Sequence, residues 1–69
     1  MFKAGFNLTT DAYLDAAIHN KAYVAVYQRN TKGILEQIFE GGVIESHCEI
    51  SVKMAGGYYL KENCEFRIV

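Results

Sequence analysis

Asp11 and Asp15 stand four residues apart, one turn of a helix, a spacing at which two carboxylates can in principle share acid and base roles. Nothing around them suggests an apolar pocket, so the pair reads as a solvated helix face. Glu36 and Glu40 are an even number of residues apart and share one face of a strand, with Glu45 beyond them. A metal would want histidine or further carboxylates converging there, and the expectation is an exposed acidic stripe that a basic partner could read. His47 and Cys48 are neighbours, and on a strand neighbouring side chains leave by opposite faces. His19, His47, Cys48 and Cys64 also lack CxxC-like spacing, so no metal and no cofactor are expected. Both thiols fall on inferred core faces, where cysteine is inert, and no triad, dyad or phosphate loop is present. The chain therefore reads as non-enzymatic.

The aromatic residues point elsewhere. Tyr23 and Tyr27 share a strand face and Tyr58 and Tyr59 lie near the last hairpin, where they could stack bases if interleaved with Arg29, Lys32 and Lys53. Yet Lys21 and Arg29 lie roughly 26 Å apart along a strand at about 3.3 Å per residue, so the basic residues do not form one patch by themselves. Tyrosine has an oily body and a polar tip, which suits a protein interface, and that is the role assigned to these four.

The elements that must carry these residues follow from patterning. Residues 1 to 8 form a short apolar lead-in, either an arm or a small strand. Thr9 or Thr10 caps a helix over residues 10–19, with Asp11 in its first turn, Leu8 available to staple against Tyr13, and Tyr13, Leu14, Ala17 and Ile18 as its apolar stripe. Asn20 is placed as a left-handed stop. Ala22 to Gln28 reads as a first strand, with Val24 and Val26 on one face, and Arg29 to Gly33 as a hairpin loop. The second strand runs from Ile34 past Gly41 and Gly42 to Glu45, and a glycine pair inside a strand marks a bulge or sharp bend. Cys48 to Met54 alternates strictly, so Cys48, Ile50, Val52 and Met54 are expected inward and Glu49, Ser51 and Lys53 outward. A turn at Ala55 to Gly57, a brief strand Tyr58 to Lys61, and a last strand Cys64 to Val69 complete the chain.

The predicted fold is α+β: an N-terminal helix followed, over residues 22–69, by a small, strongly bent five-stranded antiparallel sheet or barrel in one domain. The apolar share is 51%, high for 69 residues, which leaves oily surface and favours self-association or a partner. Net charge is -1, without the basic excess that phosphate neutralisation demands, although residues 21–33 carry three positive charges and 34–46 three negative ones. The longest apolar run, Ala22 to Tyr27, is too short for a membrane span and the N-terminus has no signal-like core, so a cytoplasmic location without membrane association is expected.

The helix with Tyr13, Leu14 and Asp15, the strand Val24-Ala25-Val26-Tyr27, the loop Thr31-Lys32-Gly33 and the ending Tyr59-Leu60-Lys61 before Phe66 resemble the Rof family of Rho-termination inhibitors and, more distantly, Hfq. The resemblance implies an Sm-like (SH3-like) barrel. The loop after the fourth strand is Glu62 and Asn63, with no basic or aromatic reader, so RNA binding of the Hfq kind is not carried over. The expected function is that of a small regulatory or inhibitory protein, of a size common among phage and mobile elements, docking on a larger protein. Tyr23, Tyr27, Glu36, Glu40, Glu45, Tyr58 and Tyr59 are its expected contact residues. The alternative is an Sm-like homo-oligomeric RNA-binding ring using Arg29, Lys32 and Lys53.

Overall fold

The structure, a computed structural model, describes residues 2–69. The helix α1 spans Asp11–His19 and is capped by Thr10, whose hydroxyl oxygen accepts the Tyr13 N–H at 3.2 Å. Leu14 and Ala17 are its buried face. Tyr13 stands edge-on to Phe6, with ring centroids 5.0 Å apart, and meets Phe2 as well, while Leu8 goes into the core instead of stapling the helix start. Asn20 keeps a right-handed conformation; the left-handed residue is Lys21, with φ of 51°, one position later than expected.

Five strands follow: β1 Tyr23–Arg29, β2 Leu35–His47, β3 Ser51–Met54, β4 Gly57–Leu60 and β5 Cys64–Ile68. They form one antiparallel sheet in the order β4-β3-β2-β1-β5, bent but not closed. The bend falls where the glycine pair placed it. Opposite β1, the register of β2 slips once between Val24 and Val26 and again between Val26 and Tyr27, so β2 carries extra residues around Ile38 and Gly41. The β1–β2 loop is held by Asn30, whose side-chain oxygen accepts the N–H groups of Lys32 and Ile34, with Gly33 left-handed at φ 78°.

The core is formed by Leu8, Leu14, Ala17, Val24, Val26, Ile44, Val52, Met54 and Phe66, drawn from the lead-in, the helix and every strand except β4. The lead-in is an arm on β5: Gly5 N–H and Leu8 N–H donate to the carbonyls of Ile68 and Phe66, and Ile68 N–H donates to Phe6, with Asn7 opposite Arg67 as a single bridge pair. That arm covers the outer edge of β5.

The alternating stretch before Met54 is only half a strand. β3 starts at Ser51; Cys48 to Ile50 form a turn closed by the Cys48 N–H to Ser51 carbonyl bond, at 2.9 Å. Cys48 and Ile50 are therefore exposed and Ser51 is buried, the reverse of the expectation, whereas Val52 and Met54 are fully buried as expected. Ser51 tolerates burial because its hydroxyl pairs with the Cys48 thiol at 3.2 Å. Cys64 is half-buried against the core.

The β3–β4 hairpin turns on Ala55 and Gly56, both left-handed, at φ 52° and 77°. Glycine is at ease there and alanine is not, since the Cβ crowds the following carbonyl. Replacing Ala55 with asparagine creates the favoured Asn-Gly pair, and it is expected to raise stability by about 1 kcal/mol, seen as a higher urea midpoint at unchanged slope.

Candidate functional site

The densest cluster of titratable groups lies where the start of α1 meets the end of β2 and the residue after β4. His47 Nε2–H donates to Asp15 Oδ1 at 2.6 Å. The Lys61 ammonium has three protons and three acceptors: Asp11 Oδ1 at 2.9 Å, His47 Nδ1 at 3.1 Å, and the carbonyl of Cys48. Lys61 donating to Nδ1 fixes the imidazole as the tautomer protonated on Nε2. The His47 and Lys61 side chains are largely covered, whereas both aspartates are 70% exposed. The hydrogen bond and charge of Lys61 hold the Asp11 carboxyl below its ordinary pKa. Asp11 and Asp15 thus do line one helix face, and that face is engaged with β2 rather than merely wet. Both ring nitrogens of His47 are committed, and the thiol of Cys48 pairs with Ser51, so imidazole and thiol are not coupled. The cluster fastens the helix to the sheet.

The two thiols differ. Hydrogen bonds from the Ser51 side chain and from the backbone of Ile50 and Ser51 lower the pKa of Cys48, and burial raises that of Cys64. Cys48 is therefore expected to alkylate with iodoacetamide at least about tenfold faster than Cys64 at neutral pH, read by mass spectrometry of the peptides. Equal rates would contradict this placement.

The expected contact residues are scattered. Tyr23 and Tyr58 are 63% and 71% exposed, but Tyr59 stacks on Phe39, at 6.3 Å, as part of the core's wall, and Tyr27 lies under the Arg67 guanidinium at 5.6 Å. Glu45 sits beyond the bend, accepting the Gly56 N–H at 3.2 Å and facing Lys53 at 3.9 Å, so it leaves the stripe. Glu36 and Glu40 remain exposed on β2 and enter no ion pair among the described residues. One bulge separates them, so their even spacing no longer places them on one face. Ile34 and Ile38, 58% and 45% exposed, interleave with them. Of the basic residues, Arg29 is tied to Glu65 at 3.2 Å, and Lys53 lies over Tyr58 at 5.8 Å. Glu65 also accepts from Arg67 and Asn7, each at 2.9 Å, joining arm, β1 and β5.

Sequence reasoning missed the Asp11, Asp15, His47 and Lys61 cluster, because its members are separated by 32 and 50 residues and no local pattern links them. Among the described residues no group of three or more metal-type ligands converges, and no helix is long and apolar enough to cross a membrane. The chain is thus an α+β domain of one helix and an open, bent five-stranded antiparallel sheet. Compared with known families, with curated proteins and with solved structures, it matches none.

Proposed function

We propose that this chain is a small non-enzymatic regulatory or inhibitory protein that acts by docking on a larger protein. The observation that carries this reading is the segment from Ile34, just before β2, through the first half of that strand, where Ile34, Glu36, Ile38 and Glu40 stand in solvent, acidic and apolar side chains mixed on one short segment. Carboxylates without an internal partner steer a basic partner, and the aliphatic side chains between them supply area that gains by being covered. On the resemblance to the Rof family, the partner is a nucleic-acid-processing machine such as the termination factor Rho, with Glu36 and Glu40 offered where nucleic acid would otherwise lie.

The covered edge of β5 speaks against the alternative ring. Sm-like rings add one subunit's sheet edge to the next, and here Gly5 to Leu8 already occupy one of the two edges. Arg29 and Lys53 are, moreover, engaged with Glu65 and Glu45.

The test is capture of purified Rho, and of partners from nuclease-treated lysate, on immobilised protein. Charge reversal at both sites, Glu36→Lys with Glu40→Lys, is expected to weaken capture by at least about tenfold while leaving the far-UV circular dichroism unchanged. Undiminished capture by the folded variant, or capture that vanishes once RNA is digested, would count against the reading.

A further inference from the structure

The sheet has two edges, and among the described residues a segment covers that of β5 alone. β4 pairs with β3 on its inner side alone. Lys61 N–H donates inward to the carbonyl of Ile50 at 2.9 Å. Along an antiparallel ladder inward and outward residues alternate, so Tyr59 and Gly57 face β3, while Tyr58 and Leu60 turn their backbone groups outward. The Leu60 carbonyl takes the Asn63 N–H at 3.2 Å in the next turn. Tyr58 N–H, Tyr58 C=O and Leu60 N–H are left on the edge, and no segment among the described residues pairs with them.

Sheet edges are ordinarily defended by shortness, lysine, proline, a bulge or a covering segment. The strand Gly57-Tyr58-Tyr59-Leu60 is short, at four residues, but holds no lysine, proline or bulge and pairs with β3 in unbroken register. Exposed apolar side chains surround it: Tyr58 at 71%, Ile50 at 67%, Leu60 at 49% and Ile38 at 45%, the last lining one groove with Tyr58 and Leu60.

We propose that the bare edge is covered by β4 of a second copy of this chain, giving a two-fold dimer with Tyr58 beside the axis. Two observations select this occupant. Head-to-tail addition of β4 to the next copy's β5 is blocked by the arm, so among edge pairings of identical copies only β4 against β4 remains, and that pairing is isologous and closes at two. The charges also suit self-pairing. β4 holds no Asp, Glu, Lys or Arg, so two such strands meet without like charges on the seam. With the axis at Tyr58, each Tyr58 N–H donates to the other copy's Tyr58 carbonyl, and the two rings form a cross-strand aromatic pair.

Short edge strands make a small interface, so association is expected in the micromolar range, and sedimentation from about 5 to about 500 μM is expected to show reversible monomer and dimer. Tyr58→Lys puts an ammonium beside its own symmetry copy and is expected to weaken the dimer by at least about tenfold, while Tyr23→Lys, equally exposed on β1, leaves it unchanged. In a Cys48→Ser background, Tyr58→Cys is expected to form a covalent dimer under mild oxidation, because such paired positions lie about 5.5 Å apart between Cα atoms. A monomer throughout, a hexamer or heptamer, or a dimer indifferent to Tyr58→Lys would overturn the proposal. Should the lysine variant lose its circular dichroism, the cysteine variant decides: a covalent dimer upholds the pairing and monomer alone overturns it.

Discussion

Replacing Phe66 with alanine is expected to leave the protein mostly unfolded at room temperature. Phe66 is 3% exposed, lies opposite Val26 on β1, and joins a core with Leu8 from the arm and Leu14 from the helix. Its carbonyl also holds the arm, through the Leu8 N–H at 2.8 Å. Truncating a buried phenylalanine costs about 3–5 kcal/mol, and the cavity cannot collapse easily because three separate elements wall it. A chain of 69 residues has a total stability of roughly 3–10 kcal/mol on the usual per-residue scale. The loss is therefore comparable with everything available. Leucine, which keeps most of the volume, is expected to retain the fold with a loss of about 1.5 kcal/mol or less. Urea titration followed by circular dichroism decides it: an alanine variant with the parent's midpoint would mean that Phe66 does not join arm, helix and sheet.

What could be read from the amino acids alone was local. Asn30 and Gly33 define their loop by side-chain capping and a left-handed φ, and Thr10 caps its helix, all within a few residues. Gly41 and Gly42 likewise announced the bend. The reading failed where one pattern fits two structures. Cys48 to Met54 alternates throughout, yet a turn closed by a backbone bond from Cys48 to Ser51 has the same alternation as a strand, and it reverses which residues are covered. Alternation places Ser51 in solvent and Cys48 in the core, whereas the turn buries the Ser51 hydroxyl with the Cys48 thiol as its partner. The shared face of Glu36 and Glu40 rests on an unbroken period of two, which the bulge between them destroys, and the Lys53 pairing takes Glu45, beyond the bend, out of the stripe. The Lys61 cluster depends on chain segments brought together by the whole fold, so its charges were visible and their neighbours were not.

The bend makes a second strong prediction, and it separates two glycines that the sequence treats alike. Neither Gly41 nor Gly42 has a left-handed φ, so any cost of a side chain there is one of space. A Cβ on Gly42 would lie 2.9 Å from Cε2 and 3.2 Å from Cζ of Phe39. That ring is stacked on Tyr59 at 6.3 Å and packed on the core, so it yields only by disturbing both. A Cβ on Gly41 would meet Val69 Cγ2 at 3.0 Å, and that methyl belongs to a residue 61% exposed, whose side chain can turn into solvent. Gly42→Val is therefore expected to cost about 1–3 kcal/mol, whereas Gly41→Ala stays within about 0.5 kcal/mol of the parent. If Phe39 is the obstacle, Phe39→Leu should relieve Gly42→Ala, with a coupling of at least about 0.5 kcal/mol in a double-mutant cycle measured by urea unfolding. Strict additivity would place the bend's requirement for glycine somewhere other than the Phe39 ring.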